Sequence, residues 1–98
     1  MPYPLIINPE AKLDLKQAIR WYNNQSAGLG YEFLECVEKV FTRIRRSPEI
    51  HAIAHQAARL TLVKRFPYVV CYLFENETVY VIAVFHGHRD PSSWKNRL

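Results

Sequence analysis

The chain has 98 residues, of which 49% are apolar and 22% are charged, so it can form one hydrophobic core and not two. No apolar run approaches the roughly 20 residues of a bilayer span, and the N-terminus lacks the basic region of a signal peptide, so we expect one cytoplasmic domain, residues 1–98. The formal net charge is +4, which is compatible with an RNA, DNA or acidic protein partner without choosing among them.

The first half of the chain predicts a short strand followed by two helices. Leu5–Ile7 is an apolar run, and Asn8-Pro9-Glu10 is typical of a helix start, because Asn can cap and Pro suits the first helical position. The apolar residues that follow recur at helical spacing and predict a helix over residues 9–24. A second helix is predicted over residues 30–47, with acidic residues early and arginines late, as the helix dipole favours.

The second half predicts strands. Residues 59–64 alternate as a strand does, whereas residues 49–57 show no decisive pattern. The apolar, β-branched runs 68–74 and 78–85 flank Glu75-Asn76-Glu77 and predict a hairpin with a three-residue loop. Residues 92–97 predict a short last helix. The order β-α-α-β-β-β predicts an α+β fold, with a two-helix hairpin on one face of a mainly antiparallel sheet.

Both faces of the two hairpin strands are apolar. In the last strand, strict alternation would place Val79, Val81, Ala83 and Phe85 on one face and Tyr80, Ile82 and Val84 on the other. Two helices can cover only one face, so either the C-terminal segment or a partner chain covers the second face. We favour the partner chain as the hypothesis.

The cysteines and histidines do not predict a metal site. Cys36 and Cys71 each lie among apolar residues, and we expect two buried thiols rather than a disulfide. His86 and His88 with one distant cysteine are too few ligands for zinc. We therefore expect neither a metal nor a cofactor.

Several short motifs, in this order and at these separations, resemble the RelE/ParE superfamily of toxins from type II toxin–antitoxin modules, and more closely its ParE-like branch. They are Trp21-Tyr22, Gly28-Leu29-Gly30 with Phe33, Ser47-Pro48, Arg65-Phe66-Pro67-Tyr68, Val84-Phe85-His86, and Arg89-Asp90-Pro91 with Trp94. The resemblance extends over residues 8–97. It implies a sheet in which the first strand lies beside the last, and a plasmid-stabilisation toxin that a cognate antitoxin wraps.

The resemblance implies two possible activities, because RelE-like members cut mRNA on the ribosome and ParE-like members poison DNA gyrase without cutting anything themselves. Metal-independent RNA cleavage needs proton transfer and positive charge beside the phosphorane. His86, His88 and Arg65 are the candidate catalytic residues for that reaction. The chain departs from the RelE pattern in having no tyrosine after Tyr80, and this favours the ParE-like activity.

A gyrase inhibitor needs a binding surface rather than an acid–base pair. The candidates for phosphate or partner binding are Arg59, Lys64, Arg89, Trp94, Lys95 and Arg97, together with the helical hairpin. The candidates for antitoxin binding are Tyr72, Phe74, Tyr80 and Ile82. For Trp94 the alternative is packing of the last turn onto the sheet. A homodimer or a toxin–antitoxin hetero-oligomer, and a non-toxic relative that only binds its antitoxin, are further alternatives.

Overall fold

The computed structural model describes residues 2–88 and 91–98. The elements in chain order are β1 (Leu5–Ile7), α1 (Pro9–Gln25), α2 (Leu29–Arg46), β2 (Ile53–His55), β3 (Ala58–Leu62), β4 (Tyr68–Glu75), β5 (Thr78–His86) and α3 (Ser92–Lys95). The sheet order is β1-β5-β4-β3-β2, with β1 parallel to β5 and the other neighbours antiparallel. The α+β prediction is confirmed, and the first strand does lie beside the last.

The two long helices cover one face of the sheet. Their apolar stripes, predicted from the 3.6-residue period, are buried against β4 and β5. Phe33 of α2 lies at the centre, with its ring 4.9–5.3 Å from the rings of Tyr22, Phe66 and Tyr68. This aromatic cluster joins both helices to the start of β4.

The hairpin between β4 and β5 is tighter than the sequence predicts. Glu75 pairs with Thr78, so the loop has two residues, Asn76 and Glu77, instead of three. Both have positive φ, 52° and 57°. Two-residue hairpins favour this geometry because its twist matches that of the strands.

A β-bulge in β5 makes our assignment of its faces wrong. Cys71 pairs with Ala83 but Tyr72 pairs with Val81, so Ile82 is an extra residue. A bulge shifts the alternation by one position. Val84 therefore packs with Val79 and Val81 under the helices, whereas Ala83 lies on the opposite face.

The C-terminal segment, rather than a partner chain, covers the centre of that second face. Trp94 of α3 is 5% exposed, and its indole stacks on Phe85 with centroids 5.9 Å apart. Leu98 packs against the same cluster. Of the two alternatives, the structure thus shows the C-terminal segment on this cluster, whereas our hypothesis favoured a partner chain.

The structure also defines residues 49–57 and the state of the cysteines. Residues 53–55 form β2, a short edge strand that the sequence left undecided. Cys36 and Cys71 are both free and buried, as expected, and burial raises the pKa of the Cys71 thiol to about 12. No helix in the described part of the chain is both long and apolar enough to cross a membrane.

Candidate functional site

The two histidines proposed for acid–base chemistry lie together at the end of β5. Nδ1 of His86 accepts the backbone N–H of His88 at 3.1 Å, and their ring centroids are 5.3 Å apart. The ring of His86 also meets that of Tyr68 at 5.5 Å. His88 is exposed and His86 half-buried. One of the two ring nitrogens of His86 is thus already engaged.

Arg65, the proposed phosphate-holding partner of these histidines, is committed elsewhere. It has a left-handed backbone (φ 74°) in the turn before β4, and its Nη2 bonds Oε1 of Glu32 at 2.9 Å. This hydrogen bond raises the pKa of Arg65. The cavity that Arg65 lines, about 250 Å³, is shared with Lys64 and residues of α2, not with either histidine. Among the described residues, the ion pair of Arg65 is with Glu32 and not with either histidine.

The other candidate cations have different environments. Arg59 is structural, because its Nη1 donates to the carbonyl oxygens of Glu49 and His51 and fixes the segment before β2. Lys64 is exposed. Lys95 is exposed as well, with its Nζ 5.7 Å from the centroid of the Trp94 ring. Arg89 lies outside the described residues.

Two of the proposed contact residues at the C-terminus are packed into the fold. Trp94 is buried against Phe85, as its structural alternative predicts. Arg97 forms a two-point ion pair with Asp14 of α1, at 2.6 and 3.1 Å, and a further contact with Glu10 at 3.3 Å. Both side chains are thus engaged within the fold, and their assignment to a contact surface stays a prediction.

The four residues proposed for antitoxin binding do not share one surface. Tyr72 is fully buried under the helices, with its hydroxyl donating to the carbonyl of Pro48 at 2.8 Å. Phe74 packs on that same side. Tyr80 and Ile82 belong to the opposite face, where Ile82 is buried and Tyr80 half-buried. Of these four residues, Tyr80 alone is both on the second face and partly exposed.

The helical hairpin carries exposed apolar side chains that the sequence reasoning did not single out. Leu13 and Trp21 of α1 are each 56% exposed, and Tyr31 of α2 is 63% exposed. A helical wheel could have found Leu13 and Trp21, because neither lies on the stripe of Ala11, Leu15, Ala18 and Tyr22 that faces the core. Exposed aromatic side chains of this kind are typical binding anchors.

His51 follows α2 and has an unusual environment. Its Nε2 is buried and has no hydrogen-bond partner in the described structure. Its ring packs edge-on against Tyr72, with centroids 6.4 Å apart. Burial, and then the charges of Arg43 and Arg59, lower the pKa of His51. The imidazole is therefore held neutral.

We expect the lowered pKa of His51 to make the fold less stable in mild acid. Because the folded pKa lies below the ordinary value of about 6.5, the unfolded chain takes up the proton first as the pH falls. The stability contribution of neutral His51 is present above pH 6.5 and is lost as the pH falls through the folded pKa. Urea unfolding between pH 7.5 and 4.5 should show a smaller loss for His51→Gln than for the parent chain. An equal loss in both would contradict this.

The described residues contain no group of three or more His, Cys, Asp or Glu side chains placed to hold a metal ion.

The fold resembles those of solved toxin structures. A protein described as the chromosomal ParDE system from P. aeruginosa superposes with a TM-score of 0.76 at 10% identity, covering 86% of this chain and 95% of its own. A mutant of E. coli toxin RelE in the free state superposes with a TM-score of 0.75 at 19% identity, covering 100% of this chain and 99% of its own. A chain of the RelBE2 toxin–antitoxin complex from Mycobacterium tuberculosis superposes with a TM-score of 0.59 at 18% identity, covering 88% of this chain and 99% of its own.

At these identities the structures show the fold alone. No curated protein matches the chain significantly in sequence. The family comparison is decisive instead, because the model described as ParE toxin of type II toxin–antitoxin system, parDE, matches residues 5–91, most of the chain. The chain therefore belongs to the ParE toxin family, within the RelE/ParE superfamily of type II toxin–antitoxin systems.

Proposed function

We propose that this chain is a toxin that inhibits DNA gyrase and that a cognate antitoxin neutralises it. The observation that supports gyrase over the ribosome is that Arg65 and His86, two of the candidate RNase residues, already have other partners. Arg65 is paired with Glu32 and lines a cavity that neither histidine lines, and Nδ1 of His86 is occupied by a backbone N–H. An RNase site needs its proton donors and its phosphate-holding cation around one phosphate.

The contact surface for gyrase is the exposed side of α1. Leu13, Gln17, Arg20 and Trp21 recur at the spacing that places residues on one side of a helix, and all four are exposed. Trp and Arg dominate the energetics of protein interfaces. This surface belongs to the helical hairpin, which the sequence analysis named together with the C-terminal segment. Of the C-terminal candidates that the structure describes, Lys95 alone is exposed.

The test is regulated expression of the chain in a bacterial host, followed by assays with the purified protein. We expect growth arrest, an induced DNA-damage response and trapped gyrase cleavage complexes. Ribosome-dependent mRNA cuts with intact DNA would overturn the proposal in favour of RelE-like cleavage. The absence of arrest, with antitoxin binding retained, would leave only the non-toxic relative.

Trp21→Ala should weaken gyrase inhibition about 30-fold, the effect expected for loss of an interface hot spot of about 2 kcal/mol. The measurement is the concentration of chain that halves gyrase supercoiling in vitro. Ile50→Ala is the matched control, since it removes another exposed apolar side chain (64%) from the loop after α2. Equal inhibition by the parent and Trp21→Ala chains would exclude α1 as the contact surface.

A further inference from the structure

Three cations form a row along the exposed side of α1, and we call it the α1 cation row. It consists of Lys12, Lys16 and Arg20, which follow one another at four-residue spacing and are all exposed. Residues four apart lie one above the other on a helix, and at a rise of about 1.5 Å per residue the row is about 12 Å long. Arg20 is also part of the proposed gyrase contact, so the row runs beside Leu13 and Trp21.

The charge of the α1 cation row is not neutralised by residues that the structure describes. The ion pairs found there involve other cations, Arg65 and Arg97. The two carboxylates of α1, those of Glu10 and Asp14, both contact Arg97. No aspartate or glutamate lies three or four residues from any member of the row. The helix therefore lacks the pairs that would offset this charge at its own surface.

The α1 cation row is unfavourable for its helix, in contrast to the arginines of α2. Arg43, Arg45 and Arg46 lie in the last turn of α2, where the helix dipole favours positive charge. The last turn of α1 carries no basic residue, and Lys12 is the fourth residue of that helix, near its positive end. Like charges four residues apart also repel each other. Helix stability thus gives no reason for the row, whereas a ligand of opposite charge does.

The length and spacing of the row fit the backbone of duplex DNA. One strand of B-DNA carries a phosphate about every 3.4 Å along the duplex axis, so the row of about 12 Å runs beside three or four phosphates. Lysine and arginine are the side chains that neutralise such phosphates, and their flexible stems adapt to small differences in spacing. The enzyme proposed above as the target works on duplex DNA.

We propose that the α1 cation row binds the sugar–phosphate backbone of duplex DNA without sequence preference. The inference rests on the proposed function in one respect, since the duplex is assigned to the DNA that gyrase holds. Leu13 and Trp21 then face the enzyme while Lys12 and Lys16 face its DNA, with Arg20 between them. The chain thus recognises gyrase that is bound to DNA in preference to the enzyme alone.

The experiment is an NMR titration of the labelled full-length chain with a DNA duplex of mixed sequence, without gyrase, at several salt concentrations. We expect amide shifts along the row. The logarithm of the affinity should fall linearly with the logarithm of the salt concentration, with a slope of about −2.7, from about −0.9 for each of three phosphate contacts. Between about 50 and about 200 mM salt, this slope corresponds to an affinity loss of about 40-fold.

Neutral substitutions identify the contacts, and glutamine keeps the helix propensity of lysine. Lys12→Gln combined with Lys16→Gln should reduce the slope to about −0.9. Lys39→Gln is the matched control, because it removes an exposed lysine of α2 that lines the cavity with Arg65 and should leave the slope unchanged. Trp21→Ala should leave it unchanged too, since the indole carries no charge.

Thermal unfolding of the same double variant separates binding from a structural role. Loss of the repulsion along the row should raise its unfolding midpoint above that of the parent chain. A lower midpoint would show that the two lysines stabilise the fold, and it would contradict the inference. Circular dichroism verifies that each variant is folded, and the parent titration does not depend on any variant.

Other outcomes would also overturn the inference: the same salt slope for the parent and the double variant, shifts at Lys39 and Lys64 instead of α1, or tighter binding of an RNA duplex. If the row instead contacts an acidic surface of gyrase, the double variant would lose inhibition although the parent binds no DNA. The titration contains no gyrase. DNA binding through the row without gyrase inhibition would therefore refute the proposed target alone, and gyrase inhibition without DNA binding would refute the role of the row alone.

Discussion

Asp14→Ala is expected to lower the free energy of unfolding by about 3–5 kcal/mol, the usual loss when one partner of a buried ion pair is removed. The side chain of Asp14 is 8% exposed and that of Arg97 17%. The substitution leaves the Arg97 guanidinium without its two-point partner. It also removes the acceptor of the Val84 N–H, which donates to Oδ2 of Asp14 at 3.0 Å.

The size of this effect follows from the short pairing of β1 with β5. β1 pairs with β5 only as far as Val81, so the next backbone groups on that edge have no strand partner. Asp14 accepts the N–H of Val84, and Arg97 donates to the carbonyl of Ile82 at 3.1 Å. The ion pair therefore replaces a missing stretch of strand. A leucine and methionine pair of similar volume should not restore stability, because both backbone groups would stay unsatisfied.

Urea unfolding followed by tryptophan fluorescence measures the loss. Glu10→Gln is the matched control, because Glu10 contacts the same guanidinium but is 68% exposed, and exposed pairs contribute about 0–1 kcal/mol. If Asp14→Ala released only residues 91–98, amide exchange would rise there while the helices and the sheet unfolded as before. That result would contradict the role given to the pair in holding β5.

The helices and the two long strands could be predicted because their signals are local. The apolar stripe of α2 and the runs on either side of Asn76 each depend on neighbouring residues, and the order of elements followed from them. The family resemblance then added the pairing of β1 with β5, which periodicity could not give. Pairing between strands about 70 residues apart leaves no local pattern.

The candidate site was harder to predict because its geometry depends on single residues and long separations. One extra residue, Ile82, reverses the faces of the rest of β5, and alternation in the sequence cannot reveal it. Asp14 and Arg97 are 83 residues apart, so Arg97 looked like a free surface cation. The sequence around Trp94, with its basic neighbours, is compatible both with binding a partner and with packing on Phe85, so it could not decide between them.

Gly30→Ala is expected to destabilise the fold by about 3 kcal/mol, at the upper end of the usual range for overpacking. A Cβ built at Gly30 would lie 2.2 Å from the carbonyl oxygen of Ile19 and 2.8 Å from the side chain of Asn23. The amide side chain of Asn23 could move, but the carbonyl belongs to the backbone of α1. The two helices would have to separate where the Gly30 N–H now donates to Oδ1 of Asn23 at 2.7 Å.

The sign of this change in stability decides whether close contact between α1 and α2, or only the helix propensity of the residue, matters at Gly30 in the Gly28-Leu29-Gly30 motif. Gly30 lies in the first turn of α2, where alanine would stabilise an isolated helix by up to about 1 kcal/mol. Gly28→Ala is the complementary control: its Cβ would meet nothing within 4 Å, but its φ is +85°, so only backbone strain of about 1–2 kcal/mol is expected. In thermal or urea unfolding, a loss at Gly30 larger than that at Gly28 would identify helix–helix contact as the constraint. A more stable Gly30→Ala chain would show that α1 and α2 do not pack as closely as described.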